Sequence, residues 1–226
     1  MDNNEYVKDY YKAYEKRYKQ VYKENMLWSS KLFTPDVIYF INDYKVNKQD
    51  RILDLGCREG RNAIYLLEKD YNVLAIDYSS SVIDMCNKLS SNKYERHFKQ
   101  FDIIEDEEKE KFNYIYSIAV LHMFVLKEHR NKFLSFIRTH LLEDGRCLLC
   151  VLGDVKQNYT SNIKDAFKDT KWVVMNTNKN LDISTASCNI VNWEELEQEI
   201  LENDLLIEKN GYQLIFQSLI ILCVWW

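Results

Sequence analysis

The chain holds a single proline and only five glycines in 226 residues. Collagen-like, linker-rich and low-complexity sequences all depend on those residues, so each of these classes is excluded. An excess of basic charge is missing too: 30 Lys+Arg stand against 35 Asp+Glu, for a net charge of -5 and a pI near 5.5. A dedicated nucleic-acid binder gains its affinity by neutralising phosphates with a basic patch, so nucleic acid is not the expected partner. An enzyme acting on RNA is still allowed. No apolar run is long enough for the ~20 residues that cross a bilayer. The longest, Leu214 to Trp226, is interrupted by Gln217 and Ser218 and reads as buried strand. The opening MDNNEYVKDYYK is too polar for a secretory hydrophobic region. Cysteines at 57, 86, 147, 150, 188 and 223 have no framework spacing, which suits a reducing cytoplasm. A cytoplasmic protein with no membrane partner is expected. Cys147 and Cys150 spell a CxxC within RCLLCVL, but that run reads as a strand, where positions three apart face opposite ways. Neither a redox pair nor a zinc site is expected there, and no metal elsewhere, because His97, His129 and His140 lack ligand spacing.

What is present is ordinary globular material, 46% hydrophobic and 29% charged. A chain of this length buries roughly 70 to 75% of its unfolded surface and needs no staple. We read one domain. Tyr6, Tyr10, Tyr14, Tyr18 and Tyr22 recur every four residues, forming one stripe of an amphipathic helix that runs to about Glu24. Thr34-Pro35-Asp36 starts a second helix, with proline in its first turn. Residues 1–45 thus read as a helical cover.

From Arg51 the pattern turns to strand alternating with helix. RILDL, YNVLAID, HFKQFDI, FNYIYSI and RCLLCVL read as strands, with helices over Arg61–Lys69, Ser80–Leu89 and Lys127–Leu142. Strands this continuously apolar are covered on both faces, as in a parallel sheet. Beyond Gly153 comes a polar stretch with seven asparagines up to Asn192 and one strand-like run, WVVMN, which we read as an insertion. Asn192 and Glu195 fit a capping box for the helix WEELEQEILEN. Two last strands, LLIEK and LIFQSLIILCV, flank Asn210-Gly211, a hairpin signal. The expected fold is α/β: a Rossmann-like three-layer sandwich whose mostly parallel seven-stranded sheet closes with an antiparallel C-terminal hairpin strand. Its core spans 50–152, the insertion 153–192, and the final helix and strands 193–226.

The stretch from Asp54 to Ala63 reads DLGCREGRNA and bridges the first strand and its helix. Ligands in such sheets bind beyond the carboxyl ends of the strands, where strand order switches. Twenty-one residues after Gly56, at the end of the second strand, Asp77 can accept both hydroxyls of a ribose. A charge-assisted bond of that kind contributes roughly 1.5 to 3 kcal/mol. A dinucleotide fingerprint starting at Gly56 requires glycine at 58 and 61, and this chain has Arg58 and Arg61.

A strand ending in DLGC with a further glycine at Gly60 resembles motif I of the class I methyltransferases that use S-adenosylmethionine. GRNA before a helix and VLAIDYS resemble the small-molecule, tellurite-resistance-like branch. The resemblance runs from about Asp50 to Leu152. It implies S-adenosylmethionine as cofactor, held by Asp54, Gly56, Cys57, Arg58, Gly60 and Asn62 in the loop and by Asp77 and Tyr78 at the ribose. Asp102-Ile103 match the pair that holds the adenine, and Ser117 follows the fourth strand. Trp28 lies where relatives carry an aromatic over the cofactor, since a ring face attracts a sulfonium; Tyr14, Tyr18 and Tyr22 share that role. His122, in Leu121-His122-Met123-Phe124, is placed for acceptor contact or proton removal. The family's middle glycine is replaced by Arg58, which either takes a positive φ at roughly 1 to 2 kcal/mol or keeps a negative φ and pairs with the cofactor's carboxylate or faces solvent.

The expected activity is methyl transfer to a small-molecule acceptor by in-line displacement. The acceptor pocket is expected to be walled by the amino-terminal helix, His122 and its neighbours, and the insertion. Rival readings are an RNA or protein methyltransferase, a silent S-adenosylmethionine-binding protein, and a nicotinamide dehydrogenase that lacks its glycines. Oligomeric state and the identity of the acceptor are not encoded in any pattern of the sequence.

Overall fold

Why the chain makes its sheet is plain from β1, Arg51–Leu55, whose last four residues are all buried. Both faces of such a strand must be covered, and two separate cores do so. Residues 8–28, 32–107, 109–153, 157–173, 180–213 and 219–225 are described by the computed structural model. Helix α1 covers Ala13–Lys23 and follows a 3-10 turn at Tyr10–Lys12; α2 covers Pro35–Asp43. After β1 come α3 (Arg61–Leu67), β2 (Asn72–Asp77), α4 (Ser80–Leu89) and β3 (Phe98–Gln100). Next are β4 (Phe112–Ile118), α5 (Lys127–His140) and β5 (Leu141–Leu152). The insertion carries β6 (Tyr159–Thr160), β7 (Asp169–Val173), β8 (Asn180–Ser184) and β9 (Asn189–Ile190). Helix α6 (Trp193–Glu202), β10 (Leu206–Gln213) and β11 (Leu219–Trp225) end the described chain.

The sheet runs β10-β11-β5-β4-β1-β2-β3. Strands β1 to β5 are mutually parallel, and β11 is antiparallel to both its neighbours. The expected seven-stranded, mostly parallel sheet with an antiparallel closing strand is therefore present. Alternation places Cys147 and Leu149 in the core under α5 and α6, and Leu148 and Cys150 in the core under α2 and α3. The two cysteines of the CxxC accordingly lie on opposite faces of the sheet.

Three local expectations need correction. Asn210 and Gly211 are not the hairpin turn: β10 runs through them, paired to Leu222 and Ile221. The long partner strand supplies more ladder bonds than an early turn would leave, and that outweighs the dipeptide's local preference. Among its described residues the insertion holds four short strands rather than one, paired β6 with β9 and β7 with β8. The tyrosine helix opens with a 3-10 turn, and Tyr6 lies outside the described residues.

Helix ends follow their sequence signals in part. Ser79 caps α4 by accepting from the Val82 N–H at 3.1 Å, and Asn192 caps α6 by accepting from the Glu195 N–H at 2.9 Å. The return half of that capping box is absent: the Glu195 carboxylate takes the Asn158 amide at 2.6 Å instead. Among the described residues no helix is long and apolar enough to cross a membrane, and no group of three His, Cys, Asp or Glu could hold a metal ion.

Candidate active site

Strand order reverses beside β1, whose neighbours β2 and β4 lead away to opposite edges. A crevice opens at the carboxyl ends there. Gly56 leaves β1 at φ +80°, and a Cβ on it would meet Val120 Cγ2 at 2.4 Å. Glycine is thus required twice, for its conformation and for the close approach of the Val120 side chain. Gly60 starts α3 at φ +70°, where a Cβ would touch Cys86 Sγ and Phe98 Cε1, each at 3.0 Å.

An apolar cavity lies in the crevice. Its floor is Leu55, Gly56, Arg58, Ile76 and Val120; Asp77, Tyr78, Asp102 and Ile103 form one wall; Phe101, Met123, Phe124 and Phe133 line the inner end. Tyr11, Tyr14 and Tyr18 close it from above. That roof is pinned on three sides. The Tyr10 hydroxyl accepts from the N–H groups of Val125 and Leu126 at 2.8 and 3.1 Å. Tyr11 donates to Asp102 Oδ2 at 2.8 Å, and Glu15 accepts from Ser79 and Ser81 at the start of α4.

Asp77 is the most constrained polar group on the wall. Its two oxygens accept from the Ser79 N–H at 3.0 Å and the Arg58 N–H at 3.1 Å. A carboxylate offers about four lone-pair sites, so two stay available to a ligand. Burial pushes its pKa up to about 6, against the pull of those two N–H groups and of the Arg58 charge. Asp54 lies deeper, accepts the Tyr116 hydroxyl at 2.9 Å and is pushed up to about 7, chiefly by burial.

Of the residues expected to hold a cofactor, Gly56, Arg58, Asp77, Tyr78, Asp102 and Ile103 converge on the cavity. The others do not line it. Asp54 and Ser117 are internal braces, Ser117 Oγ donating to the Leu55 carbonyl at 2.8 Å. Cys57 is buried behind the loop with its thiol 3.6 Å from the Arg58 carbonyl. Gly60 shapes the helix start, and Asn62 accepts from the Thr34 N–H at 2.7 Å, tying α2 to α3. Trp28 packs against Trp172 and Tyr18, at centroid separations of 5.2 and 6.4 Å, beneath the Arg17 guanidinium at 4.5 Å. Tyr22 stacks on Tyr18 at 5.9 Å, outside the cavity.

His122 does not line the cavity either. It is buried in the turn after β4, and burial, with the charges of Arg58 and Arg130, lowers its pKa to about 3. Arg58 adopts φ +51°, not the negative φ that would aim it at a cofactor carboxylate. The described residues of the insertion do not line the cavity and brace α1 instead, through Tyr14 to the Ser187 carbonyl and Lys16 to the Phe167 carbonyl. Reading the tyrosines every four residues missed Tyr11. Spacing of i, i+3, i+7 over Tyr11, Tyr14 and Tyr18 marks the face that meets the cavity.

A family model described as a methyltransferase domain matches residues 53–147. Phosphoethanolamine N-methyltransferase of Plasmodium falciparum is 28% identical over 176 residues, covering 76% of this chain and 65% of that protein. An uncharacterized methyltransferase of Schizosaccharomyces pombe is 34% identical over 82 residues, 35% of this chain and 57% of that one. The chain therefore spans less than two thirds of the length of the curated relatives it matches. Among solved structures, the 1,6-didemethyltoxoflavin-N1-methyltransferase of Burkholderia thailandensis superposes with a TM-score of 0.70 at 14% identity, covering 99% of this chain and 90% of that one. An S-adenosylmethionine-dependent methyltransferase of Clostridium acetobutylicum gives 0.65 at 16%, covering 98% and 97%. At such identities these likenesses concern the fold alone.

Proposed function

We propose, for a chain that belongs to the class I S-adenosylmethionine-dependent methyltransferase superfamily, that it transfers a methyl group from that cofactor to a small-molecule acceptor. The observation that carries the reading is the buried Asp77 carboxylate facing an apolar cavity beside a glycine turn with no room for a side chain. The residues present fit the cofactor. Asp77 would take the ribose hydroxyls with its remaining lone pairs, Asp102 and Ile103 would flank the adenine, and Gly56 would let main chain touch the amino-acid portion. Bound there, S-adenosylmethionine supplies a methyl carbon activated by positive sulfur.

The protein's own part is alignment and exclusion of water, which can supply roughly 7 to 11 kcal/mol. Tyr11, Tyr14 and Tyr18 roof the cavity and must shift to admit ligands, since the bonds from Tyr10, Tyr11 and Glu15 close it. No general base is assigned. At a pKa of about 3, His122 is neutral and too weakly basic to take a proton near neutral pH. Its role in this reading is to pack the turn that carries Met123 and Phe124 to the cavity.

We read the chain as one domain with an insertion at 153–192, in a reducing cytoplasm, where cysteines without framework spacing stay reduced. Support for a small acceptor comes from the apolar cavity roofed by Tyr11, Tyr14 and Tyr18, and from a relative whose name specifies phosphoethanolamine. The test is release of S-adenosylhomocysteine over a panel of small amines, thiols and hydroxyl compounds, with bulk RNA and protein as comparison arms. Turnover only with RNA or protein would replace the acceptor class, and cofactor binding without turnover would point to a silent binder.

A further inference from the structure

We propose that Glu59 is a positioning residue: it ties the end of the roof helix to the turn leaving β1, so that ligand binding at Asp77 and closure of the roof are coupled. This rests on the cofactor reading of the cavity. Glu59 stands outside the cavity lining and is only 2% exposed. A carboxylate in such a place is costly unless it is hydrogen-bonded. Its Oε1 accepts the Trp28 N–H at 2.6 Å, just beyond α1.

The turn is held from two sides. On the side of β2, the N–H groups of Gly56 and Cys57 donate to the Ile76 carbonyl at 2.9 and 3.0 Å, and the Arg58 N–H reaches Asp77 Oδ2 at 3.1 Å. On the other side it grips the amino-terminal cover. Besides the Trp28 bond to Glu59, Asn62 Oδ1 accepts the Thr34 N–H at 2.7 Å, and Arg61 donates to Thr34 Oγ1 at 3.0 Å. The Gly60 N–H closes the turn on the Cys57 carbonyl at 3.0 Å, so both sides belong to one small rigid unit. The Trp28 ring lies edge-on to Tyr18 at a centroid separation of 6.4 Å, and Trp172 of the insertion steadies the indole at 5.2 Å. Contacts thus run from Asp77 through Arg58, Glu59 and Trp28 to Tyr18, and both ends of the series face the same cavity. Coupling is carried by packed and hydrogen-bonded networks of this kind. Asp77 keeps lone pairs for a ligand while bound to the turn, and Tyr18 must shift to admit one. By linkage, closure then strengthens binding as much as binding favours closure.

Hydrogen exchange of residues 10–28 in the full chain, with and without saturating S-adenosylhomocysteine, tests this alongside calorimetry of the same ligand. In the parent, the ligand should bind and slow exchange across α1 and at the Trp28 amide. Glu59→Ala should weaken binding about fivefold or more and lose most of that slowing. Glu59→Gln keeps an oxygen for the Trp28 N–H and should restore both, a rescue that loss of fold would not show. Binding to the parent without slower exchange overturns the proposal and leaves the cofactor reading standing. A Glu59→Ala protein with parental affinity and parental slowing overturns it as well. Should the Ala variant not fold, Glu59→Gln still decides: a folded Gln protein that binds ligand but loses the slowing shows that the Trp28 bond is not the link. Failure of the parent to bind S-adenosylhomocysteine sinks the cofactor reading and this inference with it.

Discussion

The Arg58 guanidinium donates to the carbonyl oxygen of Ala119 at 3.2 Å, and both residues hold the left-handed backbone, at φ +51° and +57°. This contact clasps the carboxyl ends of β1 and β4 across the crevice. Left-handed backbone costs a non-glycine residue roughly 1 to 2 kcal/mol, so the clasp joins two strained turns at the place where a ligand would enter.

Arg58→Gly relieves one of those strains and loses one bond. The backbone already has the conformation glycine takes freely, so S-adenosylmethionine affinity should change by at most about tenfold, ~1.4 kcal/mol. Calorimetric loss of all binding would show that the guanidinium, not the turn, holds the cofactor.

Gly56→Ala should be severe. At φ +80° the added Cβ falls 2.4 Å from Val120 Cγ2, and strain plus overpacking should cost about 1 to 3 kcal/mol in urea unfolding. Adding Val120→Ala should recover the steric part and leave the conformational part, which a double-mutant comparison would separate.

His122→Asn should leave turnover unchanged across pH 6 to 8. The substitution should also alter the pH dependence of stability. The folded value near 3 lies below the ordinary 6.5, so the unfolded chain takes up the proton first and stability is lost as pH falls below about 6.5. Relative to the parent, the variant should gain up to ~2 kcal/mol between pH 6.5 and 5, at about 1.4 kcal/mol per pH unit. Asp54 and Asp77, raised to about 7 and about 6, run the other way: the stability of their protonated forms is lost as pH rises through those values.

Arg130 is fixed by Glu199 at 2.8 Å and by the Leu121 and Phe124 carbonyls at 3.0 and 3.3 Å. Arg130→Met leaves a partly buried glutamate unpaired and frees the turn that carries Met123 and Phe124. Thermal or urea unfolding should report about 3 to 5 kcal/mol lost. An unchanged midpoint would mean that α5 and α6 are held by apolar packing alone.

Much of this molecule was legible beforehand because its strands are buried on both faces. RILDL and FNYIYSI carry the apolar continuity that parallel sheets impose, and Ser79 marks the start of α4 by its cap. Asp77 and Gly56 were legible through their spacing, which the strand-turn-helix geometry fixes. Residues set by long-range packing were not. Trp28 meets Trp172 of the insertion, a contact no local pattern announces. Asn210-Gly211 looked like a turn because dipeptide preference is local, whereas its pairing with Leu222 and Ile221 is tertiary. Tyr11 escaped because the four-residue stripe drew attention to Tyr10, whose hydroxyl serves the Val125 and Leu126 backbone instead of the cavity.

The central claim is that Asp77 grips the sugar of an adenosyl cofactor, and titration of S-adenosylhomocysteine into parent and Asp77→Ala from pH 5 to 8 tests it most directly. With a carboxyl pKa of about 6, the parent should bind more weakly as pH falls through that value and the carboxylate is neutralised. Asp77→Ala should bind about tenfold weaker or worse at pH 8, with little dependence on pH. A parent that fails to bind at millimolar ligand, or a variant that matches it at every pH, would contradict the assignment.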